Sequence, residues 1–273
     1  NVAGNAICIF GLHMGAAGVA IPSLISRAVG SILLYFLLRN PSLELCFLKE
    51  PFRLDFVIIR RILSIGIPSG VENGIFQLGR VLVVSIISGF GTVQIAANGV
   101  ANNLDSVGVL IGSAINLAMI TVIGQCVGAR DEKQIRIYTK KLLLATYIPT
   151  ILFNIILFFS LDWILSLYGL SPETTQLART LVCIHNGCAC FLWPLSFTFP
   201  NMLRACNDVR YTMVVSIASM FLFRIGFSYL IGVTLGYGAI GVWIAMVLDW
   251  ICRTVCFLIR YRGGKWKELA ELA

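Results

Sequence analysis

The sequence predicts an all-α polytopic membrane protein, and three observations support that prediction. Hydrophobic residues make up 58% of the 273-residue chain and charged residues 12%, whereas about 25% of an average soluble domain is charged. The mean hydropathy is +0.87. Apolar stretches of about 20 residues, the length of helix that crosses the hydrocarbon core of a bilayer, recur along the chain. A lipid bilayer is therefore the first expected partner.

Eight membrane spans are predicted in chain order. The first, Asn1–Gly11, is about half the length that a spanning helix needs, so we expect the chain to begin inside a helix of a longer protein. The remaining spans are Val19–Leu38, Ile62–Gly89, Asn102–Val127, Tyr138–Leu161, Leu177–Leu203, Tyr211–Leu235 and Gly241–Ile259.

Basic and neutral loops alternate between these spans. Lys and Arg are concentrated in Gly128–Lys141, in Arg204–Arg210 and after Ile259, while the predicted loop Phe90–Ala101 and the loop Gly232–Gly238 contain neither. This placement explains the net charge of +8 without a nucleic-acid partner. The positive-inside bias predicts a multi-pass protein of the cell membrane with its basic loops, linker and C-terminus in the cytoplasm.

The spans divide the chain into four predicted segments. Residues 1–39 contain the last two helices of an N-terminal bundle, and residues 40–61 form a cytoplasmic linker. Residues 62–260 form a six-helix C-terminal bundle, followed by a cytoplasmic tail over 261–273. An internal repeat supports this division: GAAGVAI at Gly15–Ile21 matches GAIGVWI at Gly238–Ile244, at an offset of 223 residues.

The span Ile62–Gly89 contains most of the candidate site residues. At about 100° per residue, one face of this helix presents Ser69, Glu72, Asn73, Phe76, Gln77 and Arg80. A carboxylate or guanidinium in mid-membrane costs at least about 2.5 to 3.5 kcal/mol, so such groups face a protein interior or a water-filled cavity. The pattern therefore predicts the wall of a transport pathway.

Glu72 is the predicted coupling residue, because a desolvated carboxylate can bind and release a proton or exchange it for Na⁺. The alternative is a structural pair with Arg80, two turns along the helix. Arg80 is expected in a salt bridge, since an unpaired guanidinium is costly in mid-membrane. Asn73 and Gln77 could hydrogen-bond a substrate or simply join two helices.

The later spans add weaker candidates. Asn116 lies deeper in its helix and is a cavity candidate, whereas Asn102 and Asp105 are interpreted as a helix cap and a first-turn acid. His185 and Asn186 are cavity candidates, although a hydrogen-bonded structural histidine explains His185 equally well.

The helix that carries His185 also contains Pro194 and Pro200, which predict a break in its backbone ladder. Asp249 and Arg253 form a predicted structural i,i+4 ion pair, to which Arg224 is added as a third helix-joining charge. No metal site is predicted, because Cys188-x-Cys190 has no second pair or histidine cluster.

Several motifs together resemble the second half of the multidrug and toxic-compound extrusion (MATE) transporters. They are GIPSGVENGIFQLGR at Gly66–Arg80, FGTVQIAANGVANNLDSVG at Phe90–Gly108, GQCVGARD at Gly124–Asp131, PNMLRACNDVR at Pro200–Arg210 and FRIGFSYLIG at Phe223–Gly232. The resemblance covers the chain as helices five to twelve of twelve. Members that keep a glutamate in the first of these motifs usually have it one turn further from the proline, where this chain has Phe76.

The resemblance implies a MATE-type fold of two six-helix bundles around a central cavity. It also implies a secondary antiporter, which we expect to be monomeric, that exports amphipathic, often cationic small molecules against an inward H⁺ or Na⁺ gradient by alternating access. Neither a cofactor nor ATP is expected, since no phosphate-binding G-x-x-x-x-G-K-[ST] motif is present.

Two other functions compete with this one. The first is a lipid-linked oligosaccharide flippase of the same superfamily, which would need several basic residues for the pyrophosphate, and only Arg80 and Arg27 are candidates in the sequence. The second is an intramembrane enzyme, which would need a nucleophile or metal constellation that the chain lacks.

Overall fold

The chain is helical over nearly all of the residues that the computed structural model describes, which are 2–12, 14–15, 17–39 and 54–271. The helices are α1 (Val2–Ala6), α2 (Ala17–Leu38), α3 (Phe56–Ser88), α4 (Thr92–Gly108), α5 (Leu110–Gly128), α6 (Glu132–Ser166), α7 (Pro172–Trp193), α8 (Phe199–Ala205), α9 (Val209–Ser219), α10 (Gly238–Arg262) and α11 (Lys265–Glu271). Wider π-helical turns occupy Ile7–Gly11, Pro194–Thr198, Met220–Gly226 and Ser228–Thr234.

Seven stretches of the described residues are long and apolar enough to cross a membrane. They are Ala17–Leu38, Phe56–Ser88, Leu110–Gly128, Glu132–Ser166, Pro172–Ala205, Val209–Thr234 and Gly238–Arg262. Each corresponds to a predicted span, which confirms an all-α polytopic membrane protein. The first predicted span, Asn1–Gly11, is not among these seven; its described part, Val2–Gly11, forms two helical segments of five residues each.

The predicted loop Phe90–Ala101 is wrong, because α4 begins at Thr92. Hydropathy misses this helix, since its glycine, asparagine and glutamine residues lower the average. The helix is stabilised by close packing of small side chains: Ala97 and Ala101 are fully buried in the same cluster as Ala178 of α7. Small residues let two helix backbones approach closely inside a membrane.

The predicted break in the fourth span of the bundle, Leu177–Leu203, is confirmed. Its α-helical winding ends at Trp193, and Pro194 begins a π-helical turn that leads into α8. Proline cannot donate the backbone hydrogen bond that would continue the α-helix. The helix beyond this turn carries Asn201 and Arg204, which face the site described below.

Chain contacts divide the protein into two compact units, Asn1–Phe56 and Val57–Ala273. Helix α3 begins at Phe56, inside the predicted linker 40–61, and residues 40–53 of that linker lie outside the described residues. The predicted tail continues the helical packing, because Trp266 of α11 is only 1% exposed.

The internal repeat predicted from the sequence agrees with the local geometry of each unit. In the first unit, an added Cβ on Gly18 would lie 3.2 Å from the backbone of Cys8. In the second unit, an added Cβ on Gly241 would lie 2.8 Å from the backbone of Ile231. Both pairs of residues are related by the same offset of 223, and in both units the glycine faces a π-helical turn. Glycine is needed at both positions because two backbones approach each other there.

The second unit contains two buried apolar clusters. One includes Trp193, Trp243 and Trp250, and the other includes Phe257 and Trp266. Polar residues lie between them along the helices. On α10, for example, Arg253 stands between Trp250 and Phe257. The two clusters therefore enclose a polar layer, and the candidate site lies in that layer.

Candidate functional site

A polar pocket of about 320 Å³ lies inside the second unit. Helices α3, α5, α8, α9 and α10 and the π-helical turn Pro194–Thr198 all contribute to its wall. Four of the predicted coupling and cavity residues line it, namely Glu72, Asn73, Phe76 and Asn116, and so does Arg253 of the predicted ion pair. Gln77 and Arg80, which were predicted on the same face of α3, are exposed and do not line this pocket.

Glu72 is buried and forms an ion pair across the pocket. Arg204 Nη2 of α8 donates a hydrogen bond to Glu72 Oε1 at 2.5 Å. Arg204 Nη1 donates to Asn201 Oδ1 at 2.6 Å, which fixes the guanidinium from a second side. The alternative pairing of Glu72 with Arg80 is therefore wrong. Among the described residues Arg80 has no ion-pair partner, although a salt bridge was expected.

A second charged cluster adjoins the pocket from α10. The predicted pair is present, with Arg253 Nε donating to Asp249 Oδ1 at 2.8 Å. Ser219 also donates to Asp249, and Arg224 Nη1 lies 3.7 Å from Asp249 Oδ2. Asp249 is fully buried and Arg253 is 3% exposed. Buried charges of this kind require partners, because the cost of removing them from water is several kcal/mol per ion.

Phe76 links the charged cluster to the pocket. The Arg224 guanidinium lies 5.5 Å from the centre of the Phe76 ring, and that of Arg253 lies 5.4 Å away. The ring also meets Phe197 edge-on at a centroid distance of 6.2 Å. Cations favour the face of an aromatic ring within about 6 Å of its centre. Phe76 occupies the position at which the family resemblance predicts a glutamate, and its ring contacts two arginines.

His185 and Asn186 lie outside the polar pocket. His185 Nε2 is 2.7 Å from Asp105 Oδ1 of α4, and its Nδ1 is 3.0 Å from Asn186 Oδ1. The ring is 1% exposed and packs edge-on against Trp250 at 4.9 Å. This geometry favours the structural interpretation of His185.

The interpretation of Asn102 and Asp105 as a cap and a first-turn acid is wrong. Helix α4 begins ten residues before Asn102, at Thr92, and Asp105 lies in its last turn. Asn102 Nδ2 donates to the carbonyl oxygen of Asn98, four residues earlier in the same helix. The prediction failed because it followed from the misplaced start of this helix.

Sequence reasoning missed the residues that complete the pocket from α8 and α9, namely Asn201, Arg204 and Ser216. Arg204 was counted as a loop charge, yet helix α8 continues to Ala205. The spacing of Asn201 and Arg204 was an available signal, because residues at i and i+3 share a helix face.

Some buried polar atoms in and around the pocket have no hydrogen-bond partner within the described part of the chain. Arg204 Nε, Arg224 Nε and Asn116 Oδ1 are such atoms. Because buried polar groups in proteins are nearly always paired, atoms of this kind mark places where a ligand or water can bind. The residues that the structure describes include no group of three His, Cys, Asp or Glu side chains that could hold a metal ion.

A protein-family model described as MatE matches residues 68–230, more than half of the chain. The chain belongs to the MatE family. The match includes the polar pocket residues of α3, α5 and α8. It ends before Asp249 and Arg253, which complete the charged cluster.

Relatives of this MatE chain are named as a transporter and as a multidrug resistance protein. It is 27% identical to "Uncharacterized transporter YisQ" of Bacillus subtilis (strain 168), over 97% of this chain and 59% of the relative. It is 22% identical to "Probable multidrug resistance protein NorM" of Thermotoga maritima, over 95% of this chain and 56% of the relative. The MatE family is thus a family of transporters and not of enzymes, as the sequence predicted.

The fold of the MatE chain is that of solved transporters. It matches the structure titled "Outward-facing conformation of a multidrug resistance MATE family transporter of the MOP superfamily" with a TM-score of 0.85 and 19% identity, over 98% of this chain and 60% of the other. This match confirms the predicted MATE-type fold. The chain spans less than two thirds of the length of the relatives and of this structure.

Proposed function

We propose that this chain forms part of a secondary transporter that exports small amphipathic molecules across the cell membrane. The observation that supports the proposal best is the polar pocket, which lies between two apolar clusters of a membrane-spanning bundle and contains a buried carboxylate. Transporter sites of this kind lie near the bilayer midplane, where an alternating-access motion exposes them to each side in turn.

Glu72 is the proposed coupling residue, with H⁺ or Na⁺ as the coupling ion and no other cofactor. Its partner Arg204 already supplies one positive charge at 2.5 Å. A proton or a Na⁺ ion bound to Glu72 would neutralise the same carboxylate charge that Arg204 neutralises, so the ion and Arg204 would compete for Glu72. Ion binding would therefore release Arg204 from α3 and loosen the contact between α3 and α8.

The orientation of the bundle follows from its basic turns. The turns after α5, α8 and α10 lie at one end of the antiparallel helices and are flanked by Lys and Arg. The positive-inside bias places that end in the cytoplasm. We propose a multi-pass protein of the cell membrane that acts as a monomer.

Efflux measurements on the full-length protein in vesicles test this proposal. A fluorescent amphipathic dye should accumulate when an H⁺ or Na⁺ gradient is imposed, and Glu72→Gln should abolish gradient-dependent accumulation while membrane insertion stays normal. Arg179→Gln is a matched control, because Arg179 belongs to an exposed pair with Asp162. Gradient-dependent accumulation by Glu72→Gln at the wild-type rate would refute the coupling role.

The flippase alternative gains one observation from the structure. Its weakness in the sequence was a lack of basic residues, but Arg204 and Arg253 line the pocket and Arg224 adjoins it. Translocation of a fluorescent polyprenyl pyrophosphate between vesicle leaflets, without dye accumulation, would favour this function over the exporter.

A further inference from the structure

We propose that the polar pocket binds the anionic group of an amphipathic molecule, such as a carboxylate, a sulfonate or a phosphate. The inference rests on the proposed function, because it assigns the pocket to the cargo. It departs from the cationic cargo that the family resemblance implies. Three features of the pocket support it: its charge balance, its unused donors and its apolar wall.

The charge balance of the pocket is positive. Three guanidinium groups surround it, those of Arg204, Arg224 and Arg253, against the two carboxylates of Glu72 and Asp249. Each carboxylate is held by an arginine, at 2.5 Å for Glu72 and 2.8 Å for Asp249. The three guanidiniums exceed the two carboxylates by one positive charge, because Arg253 and Arg224 share Asp249, and this excess charge would repel an incoming cation.

The pocket also has unused hydrogen-bond donors. A guanidinium has five N–H groups, and Arg204 uses two nitrogen atoms to bind Glu72 and Asn201. Its Nε is buried without a partner, as is the Nε of Arg224. On the acceptor side, Asn116 Oδ1 in the pocket wall and Asp249 Oδ2 beside Arg224 have no hydrogen-bond partner among the described residues. Arginine N–H groups match the oxygens of carboxylates and phosphates, and such charge-assisted bonds are the strong ones.

Apolar side chains form another wall of the pocket. Leu117 and Ile120 of α5 line the pocket together with Phe76 and Phe197. Phe197 stacks on Trp193 with a centroid distance of 5.5 Å and an angle of 28° between the rings. Such a surface accepts a flat or aromatic body. The occupant that fits both walls is an aromatic or aliphatic molecule with one anionic end.

Two dyes with the same ring system and opposite charge test this inference. Binding of naphthalene-2-sulfonate and of a naphthyl-trimethylammonium salt is measured by fluorescence titration of the purified full-length protein in phosphatidylcholine nanodiscs, with empty nanodiscs as the blank. The sulfonate should bind more tightly than the ammonium. Equal binding, or preference for the ammonium, would overturn the inference.

Paired variants identify the donor. Glu72→Gln removes the carboxylate that occupies Arg204 and should tighten sulfonate binding. Adding Arg204→Gln to Glu72→Gln should weaken it by roughly tenfold or more, the contribution of a charged hydrogen bond. The double variant leaves neither Glu72 nor Arg204 as a buried, unpaired charge. Arg179→Gln, at the exposed pair, is the control and should leave binding unchanged. Equal sulfonate binding by the single and double variants would overturn the assignment.

The same variants separate this inference from the proposed function. Loss of gradient-dependent efflux in Glu72→Gln without tighter sulfonate binding would support the coupling role and overturn the anionic site. Tighter binding with normal coupled efflux would do the reverse. Replacing phosphatidylcholine with phosphatidylglycerol identifies the source of the anion: displacement of the sulfonate indicates a lipid headgroup, and undiminished binding indicates a soluble molecule.

Discussion

Replacing Asp249 with asparagine should damage folding more than substrate choice. Asp249 is fully buried and is the shared partner of Arg253 and Arg224. The substitution keeps the shape of the side chain but leaves two guanidiniums without a carboxylate. Breaking a buried ion pair by removing one partner costs about 3 to 5 kcal/mol.

The loss is measurable as a thermal shift. For a domain of this size a change of 1 kcal/mol moves the midpoint by about 2 to 4 °C, so Asp249→Asn should melt roughly 6 to 20 °C lower. Detergent-solubilised protein would be heated and the remaining monodisperse fraction measured by size-exclusion chromatography. Asp162→Asn is the matched control, because its pair with Arg179 is exposed and such pairs contribute about 0 to 1 kcal/mol.

Two results would refute this reasoning. The first is an Asp249→Asn variant that melts within a degree or two of the wild type, which would mean that the cluster does not need the carboxylate. The second is a variant that is stable but inactive, which would move Asp249 from a structural role to a functional one. Asp249→Asn combined with Arg253→Gln should recover part of the stability, since it removes one of the two unpaired guanidiniums.

Three further outcomes follow from other parts of the chain. Gly241→Ala should destabilise the bundle by about 1 to 3 kcal/mol in a thermal melt, because the added Cβ would lie 2.8 Å from neighbouring backbone. Gly99→Ala is the control: an added Cβ there has no atom within 4 Å, so this variant should be neutral or slightly stabilising. Burial raises the pKa of the Cys206 thiol to about 12, so this thiol should stay neutral and unreactive toward maleimide at pH 8 until the protein is denatured. Mass spectrometry of the modified peptide measures the labelling, and rapid labelling of the folded protein would contradict the prediction. Trp266→Ala should detach helix α11 from the bundle, since Trp266 stacks on Tyr261 at 5.5 Å and is 1% exposed. The expected result is faster trypsin cleavage after Lys267.

The fold was predictable from the sequence because it depends on local composition. Apolar stretches identify spanning helices one by one, and short turns arrange them in order. The failure at Phe90–Ala101 has the same origin. Its small and amide side chains carry little hydropathy, but Ala97 and Ala101 pack tightly against α7. Burial through close backbone approach leaves no apolar signal in the sequence.

The candidate site was predictable only where its contacts are local. The pair of Asp249 and Arg253 is four residues apart on one helix, so its geometry follows from helical spacing. The partner of Glu72 is 132 residues away at Arg204, and that contact depends on how α8 continues beyond the π-helical turn at Pro194. Hydropathy assigned Arg204 to a loop, and no periodicity in the sequence relates the two helices.

The stacked rings of Trp193 and Phe197 give the pocket a built-in optical reporter. Phe197 lines the pocket, and Trp193 lies directly against it while being almost completely buried. A molecule that displaces Phe197 changes the surroundings of that indole and hence its emission. Occupancy can then be followed without any attached label, once the remaining tryptophans are exchanged for phenylalanine.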